Sequence, residues 1–92
     1  MTYILIVPNS FKRQLKKFLK QRRDLRMEVE RVLNYLESDP FDPQLKIHPL
    51  EGQLSGCWAV TVTYSYRIVL AVDIAAREVT LLDIGSHDEV YR

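Results

Sequence analysis

Ninety-two residues, 47% apolar and 27% charged, make one globular domain (residues 1–92) with a modest core and exclude a disordered chain. The lone cysteine, Cys57, excludes an intramolecular disulfide and a cysteine-based metal site, which fits a reducing cytoplasm. Net charge is +1, yet residues 1–36 hold nine Lys/Arg against three acids and residues 37–92 hold four against nine. That imbalance marks either a polyanion-facing surface or a solvated helix face.

Tyr3-Ile4-Leu5-Ile6-Val7 is β-branched and apolar and is closed by Pro8. It reads as a short, largely buried strand. It is too short to span a bilayer and no basic stretch precedes it, so neither a signal peptide nor a membrane segment is expected. Asn9 or Ser10 offers an N-cap. The helix that follows puts Phe11, Leu15, Phe18 and Leu19 on one side and Lys12, Arg13, Lys16, Lys17 and Lys20 on the other. Gln21-Arg22-Arg23 reads as a turn, and Asp24 as the cap of a second helix with Leu25, Val29, Val32, Leu33 and Leu36 as its apolar stripe.

Two Asp-Pro pairs, Asp39-Pro40 and Asp42-Pro43, end that helix, because a residue before proline is biased away from helical backbone. A loop runs on through His48-Pro49-Leu50-Glu51-Gly52. Then the period becomes two. Trp58, Val60 and Val62 alternate with Ala59, Thr61 and Thr63, and Ile68, Leu70 and Val72 with Arg67, Val69 and Ala71. A turn near Tyr64-Ser65-Tyr66 joins these runs, and a last strand covers residues 78–84. The expected fold is α+β, β-α-α-β-β-β, with two N-terminal helices packed on one face of an antiparallel-rich sheet. The helices should cover Trp58, Val60, Val62, Ile68, Leu70 and Val72, joined by Thr80, Leu82 and Ile84. Thr61, Thr63, Arg67 and Asp83 should lie on the open face.

The chain closes on Ile84-Gly85-Ser86-His87-Asp88-Glu89-Val90-Tyr91, where an apolar strand breaks at glycine into polar, titratable residues. This is either a site presented at the mouth of the sheet or a loose terminal tail. His48 and His87 are the two histidines, and an imidazole serves as acid or base near neutrality. Arg67 offers a planar cation for phosphate, or a cross-strand partner for Asp83 or Asp73.

His48-Pro49-Leu50-Glu51-Gly52, Gly56, Tyr66-Arg67-Ile68-Val69 and the Gly85-Ser86-His87 ending through Tyr91 together resemble the RelE/ParE toxin superfamily, and within it the YafQ-like branch. The resemblance covers nearly the whole chain. It implies a RelE-like toxin of a type II toxin–antitoxin system, a ribosome-dependent mRNA endoribonuclease (mRNA interferase) that inhibits translation in the cytoplasm. The implied partners are a cognate antitoxin, in a hetero-oligomer, and the ribosome with its mRNA. No cofactor or metal is implied. By position, His48 matches a catalytic histidine of the branch and His87 its principal one. Tyr91 stands where the branch has an aromatic residue important for activity, and Tyr66 where it has a tryptophan. Arg67 fits the Tyr-Arg pair of the RelE branch, whose arginine contacts the scissile phosphate. Thr61, Ser65 and Asp83 depart from the branch, which has histidine, aspartate and arginine there.

The expected catalytic set is therefore His87, His48, Arg67 and Tyr91. Tyr66 is expected to stack on RNA bases, and Lys12, Lys16, Lys17 and Lys20 to hold RNA phosphates. Ser86 and Asp83 are expected to support the set, Asp83 by holding Arg67 or orienting His87. Two alternatives remain in view: a ParE-like, non-enzymatic gyrase inhibitor, and a degenerate toxin fold that only binds its antitoxin.

Overall fold

The computed structural model describes residues 2–91. The elements are β1 (Ile4–Ile6), α1 (Asn9–Gln21), α2 (Arg26–Ser38), β2 (His48–Pro49), β3 (Trp58–Thr63), β4 (Tyr66–Asp73), β5 (Glu78–Ser86) and α3 (His87–Val90). They form one five-stranded sheet in the order β1-β5-β4-β3-β2. β1 runs parallel to β5, and every other pairing is antiparallel. The expected element order holds, with two short elements added, β2 and α3.

Both helix starts differ from the expectation. Pro8, in extended backbone, is the N-cap of α1, so Asn9 and Ser10 already lie inside the first turn and neither caps it. Asp24 does not cap α2. It sits within a 3-10 turn at Arg23–Leu25, and Leu25 occupies the N-cap without a side-chain bond. The stop after α2 is as expected. Asp39 is extended, and its carboxylate accepts from the Phe41 amide at 2.9 Å. Asp42 caps the next 3-10 turn through the Gln44 amide at 2.9 Å.

β2 lies in the segment read as loop. His48 pairs with Ala59 and Pro49 with Trp58, and the chain returns through a 3-10 turn at Gly52–Leu54. Gly52 at φ 69° and Gly56 at φ 93° hold that turn in a backbone region where a side chain is strained. A proline on the outermost strand is tolerated because its missing N–H can face away from the ladder.

The core lies between the helices and one face of the sheet. Phe11 and Phe18 of α1 and Val29, Val32 and Leu36 of α2 are buried against Val60, Val62, Ile68, Leu70, Val79, Leu81 and Ile84. Burying a side chain of this size contributes about 1.5–3 kcal/mol. The face assignment is as read for β3 and β4 but fails for most of β5, where Val79 and Leu81 point inward and Leu82 is 39% exposed. The cause is a bulge. Val69 pairs with Asp83, but the next residue, Leu70, pairs with Leu81. The extra residue in β5 inverts the alternation below it, while Ile84 and Asp83 keep their expected sides.

The second face of the sheet is partly covered by α3. Ala59, Val69 and Val90 are buried yet stand apart from the main core, and α3 packs against β4 and β5. Gly85 lies under it: a Cβ there would come within 3.2 Å of the Glu89 Cβ. The glycine lets the short helix sit flat on the strand that feeds it.

Candidate functional site

Tyr91, at the end of α3, is the point where the expected residues meet. Its hydroxyl is 3.4 Å from His48 Nε2. Its ring meets the His87 ring edge-to-face, with centroids 4.3 Å apart. The positive charge of the Arg67 guanidinium also acts on this hydroxyl. Burial pushes the Tyr91 hydroxyl above its ordinary value of 10.0, and the charge and hydrogen bond of Arg67 pull it partly back. The phenol is therefore neutral at physiological pH.

Each contributor is aimed by its own local structure. His48 Nδ1 lies 3.2 Å from the Lys46 carbonyl, and Lys46 is turned into the left-handed region at φ 51°. A carbonyl only accepts, so Nδ1 is the donor there, and in the neutral ring the Nε2 lone pair faces Tyr91. Arg67 is anchored by the turn between β3 and β4: its Nη1 donates to the carbonyls of Thr63, Tyr64 and Tyr66 at 2.8, 3.0 and 3.1 Å. His87 opens α3 and is solvent-exposed, its Nδ1 3.8 Å from the Asp88 carboxylate. Ser86 holds that helix start in a capping box. Its hydroxyl accepts from the Glu89 amide at 3.3 Å, and the Glu89 carboxylate accepts from the Ser86 amide at 2.8 Å. An open cleft of about 390 Å³, walled by Leu50, Glu51, Gln53, Leu54 and Tyr91, adjoins the cluster.

Other expected residues lie elsewhere. Tyr66 starts from the core side of the sheet, where its ring meets Phe18 edge-to-face at 5.1 Å. The guanidinium of Arg22 lies 4.8 Å above it. The Asp83 carboxylate accepts from the Ile84 amide at 2.8 Å. The residue lines a second cleft of about 230 Å³ against α1, together with Lys17, Arg22 and Glu89. Lys12, Lys16, Lys17 and Lys20 lie on α1, and only Lys17 of the four lines that cleft. Lys16 and Lys20 share a groove with Leu19, Arg23 and Arg26. Arg22 was missed by the sequence reading; only the break of α1 at this residue hinted that it turns back over the sheet. Among the described residues, no three His, Cys, Asp or Glu side chains gather as metal ligands.

Comparison with solved structures shows the same architecture. YafQ from E. coli strain BL21(DE3) matches at a TM-score of 0.79 and 13% identity, covering 98% of this chain and 99% of that one. YafQ in the E. coli DinJ–YafQ toxin–antitoxin complex matches at 0.78 and 14%, with 100% of both chains covered. A metal-bound toxin from Helicobacter pylori matches at 0.71 and 27%, covering 98% and 99%. A comparison with curated proteins finds no match. These neighbours share the fold of this chain. A family profile described as the bacterial toxin of type II toxin–antitoxin system, YafQ, matches residues 4–92. The chain belongs to the YafQ family.

Proposed function

We propose that the chain is an mRNA interferase: a metal-independent endoribonuclease that cuts mRNA on the ribosome, is held silent by a cognate antitoxin and works in the cytoplasm. The observation that carries this reading is the convergence of His48, His87 and Arg67 on Tyr91. RNA brings its own nucleophile, the 2′-hydroxyl. His48, with its Nε2 lone pair directed into the site, suits the base that takes the 2′-OH proton. The 2′-oxygen attacks phosphorus, the bond to the 5′-oxygen breaks, and His87, exposed to substrate and solvent, returns a proton to that oxygen. Arg67 sets positive charge beside the developing phosphorane charge. The products are a 2′,3′-cyclic phosphate and a 5′-hydroxyl.

The antitoxin follows from family membership and from the DinJ–YafQ complex among the relatives. No helix among the described residues is long and apolar enough to cross a membrane. The test is induced expression with transcript-end mapping, alongside a His87→Ala control. Growth arrest with cuts in translated mRNA supports the proposal; arrest with intact mRNA and inhibited supercoiling points to gyrase. A second reading, an inert antitoxin-binding fold, draws on Arg67, whose Nη1 already serves three backbone carbonyls. Unimpeded growth without antitoxin would favour it.

A further inference from the structure

Tyr64, at the tip of the turn between β3 and β4, is 94% exposed, the highest value among the exposed large hydrophobics of the described residues. A phenol ring left in water adds nothing to the core. Single exposed apolar residues are common, so exposure alone argues little. The tip beneath this ring, however, is rigidly built. The Arg67 guanidinium ties the carbonyls of Thr63, Tyr64 and Tyr66 together. Thr63 Oγ1 accepts from the Ser65 amide at 3.3 Å, and a register shift between Thr61 and Thr63 bends the strand into the turn. The same guanidinium sets its charge beside the Tyr91 hydroxyl. One cation therefore ties the backbone that presents Tyr64 and faces the Tyr91 cluster.

The neighbouring aromatic is already engaged. Tyr66 is packed by Phe18 and covered by Arg22, so its ring has little face to offer a base. The other strongly exposed apolar residues, Ile4 on β1, Met27 on α2 and Ile74 on the turn between β4 and β5, have no such tie to the cluster.

We infer that Tyr64 is a base-stacking platform for single-stranded RNA, receiving a nucleotide next to the one held at Tyr91. This rests on the RNA-cleaving reading above. Stacking on an aromatic face is tolerant of base identity and changes binding by roughly 5- to 150-fold per base. The platform would thus tighten binding of the strand without selecting a sequence.

The experiment uses the full chain and a ten-nucleotide RNA in which 2′-deoxy sugars block cleavage. Tyr64→Trp places an indole at the tip, and its emission, corrected for the parent's Trp58, should be quenched as the RNA binds. Tyr64→Ala should bind the RNA roughly 5- to 150-fold more weakly, and Tyr64→Phe, which keeps the ring, as the parent does. On ribosome-bound mRNA, Tyr64→Ala should raise KM and leave kcat near the parent's. Circular dichroism of each variant confirms the fold. Equal RNA affinity for Tyr64→Ala and parent overturns the inference, as does a parent that binds no RNA. A Tyr64→Ala defect confined to antitoxin binding overturns it too, making Tyr64 a protein-interface residue. A parent that binds the RNA through Tyr64 yet cuts no mRNA leaves the platform standing and removes the nuclease reading.

Discussion

Val90→Ala isolates the docking of α3 from the stability of the rest of the fold. Val90 is the one buried residue of that four-residue helix, and it lies outside the main core. Shortening it removes two carbon groups worth about 0.8 kcal/mol each and leaves a small void, for a total near ~2 kcal/mol. That shifts the docked-to-undocked ratio about 30-fold. A helix this short has no independent stability, so the loss should appear as local opening. The assay is amide hydrogen exchange. The Glu89 amide, bonded to Ser86 Oγ, and the Tyr91 amide, bonded to the His87 carbonyl, should exchange about 30-fold faster, while Leu70 and Ile68 in the core keep their protection. Because His87 and Tyr91 travel with α3, any mRNA cleavage should fall with the docked population. Unchanged exchange at Glu89 and Tyr91, or uniform acceleration across the core, would refute the argument that α3 is an independently docked unit.

His87→Ala should lower cleavage of ribosome-bound mRNA by ~10²–10⁴-fold while antitoxin binding and fold persist; a parental rate would remove His87 from the mechanism. Cleaved transcripts should carry 5′-hydroxyl ends, shown by end-labelling with kinase before and after phosphatase, and 5′-phosphate ends would rule out attack by the 2′-oxygen. Neutralising Lys12, Lys16, Lys17 and Lys20 should weaken RNA or ribosome association more at low salt than at high salt; insensitivity to both would make the α1 face a solvated surface only. The raised Tyr91 group adds a pH prediction with a defined sign. A folded-state value above the unfolded one contributes stability that is complete below about pH 10 and is lost as pH rises through the folded value. Exchange at the Tyr91 amide should therefore quicken above about pH 10 beyond the intrinsic base-catalysed rise, and Tyr91→Phe should abolish that excess.

What the sequence could reveal tracks how local the cause is. Trp58, Val60, Val62, Ile68, Leu70 and Val72 declared their face because alternation is a property of one strand. Leu81 and Leu82 misled because a bulge is a property of a pair, and nothing in β5 alone says that β4 is one residue shorter there. Asn9 and Asp24 are good caps by type, but Pro8 and a 3-10 turn fixed the helix starts at other residues. His48-Pro49 looked like loop because a proline seldom announces a strand. In the site, His48, His87, Tyr91 and Arg67 carried recognisable family positions, and the fold gathers them around the Tyr91 ring. Arg22 over Tyr66 depends on where α1 ends against β4, a long-range consequence of packing with no local signature.

The parallel pairing of β1 with β5 sets an order on folding. The β3–β4–β5 meander and the turns within each helix are built from contacts between near neighbours in the chain. The pairing of Ile4, Leu5 and Ile6 with Glu78, Val79 and Thr80 joins the first strand to the last and closes the longest loop in the molecule. That closure costs the most chain entropy and is rewarded only once β5 exists. β1 should thus be the final strand to join and the first to leave. Truncating Leu5 should then speed unfolding and scarcely slow refolding, giving a φ-value near zero, whereas truncating Ile68 or Leu70 should slow the climb to the transition state.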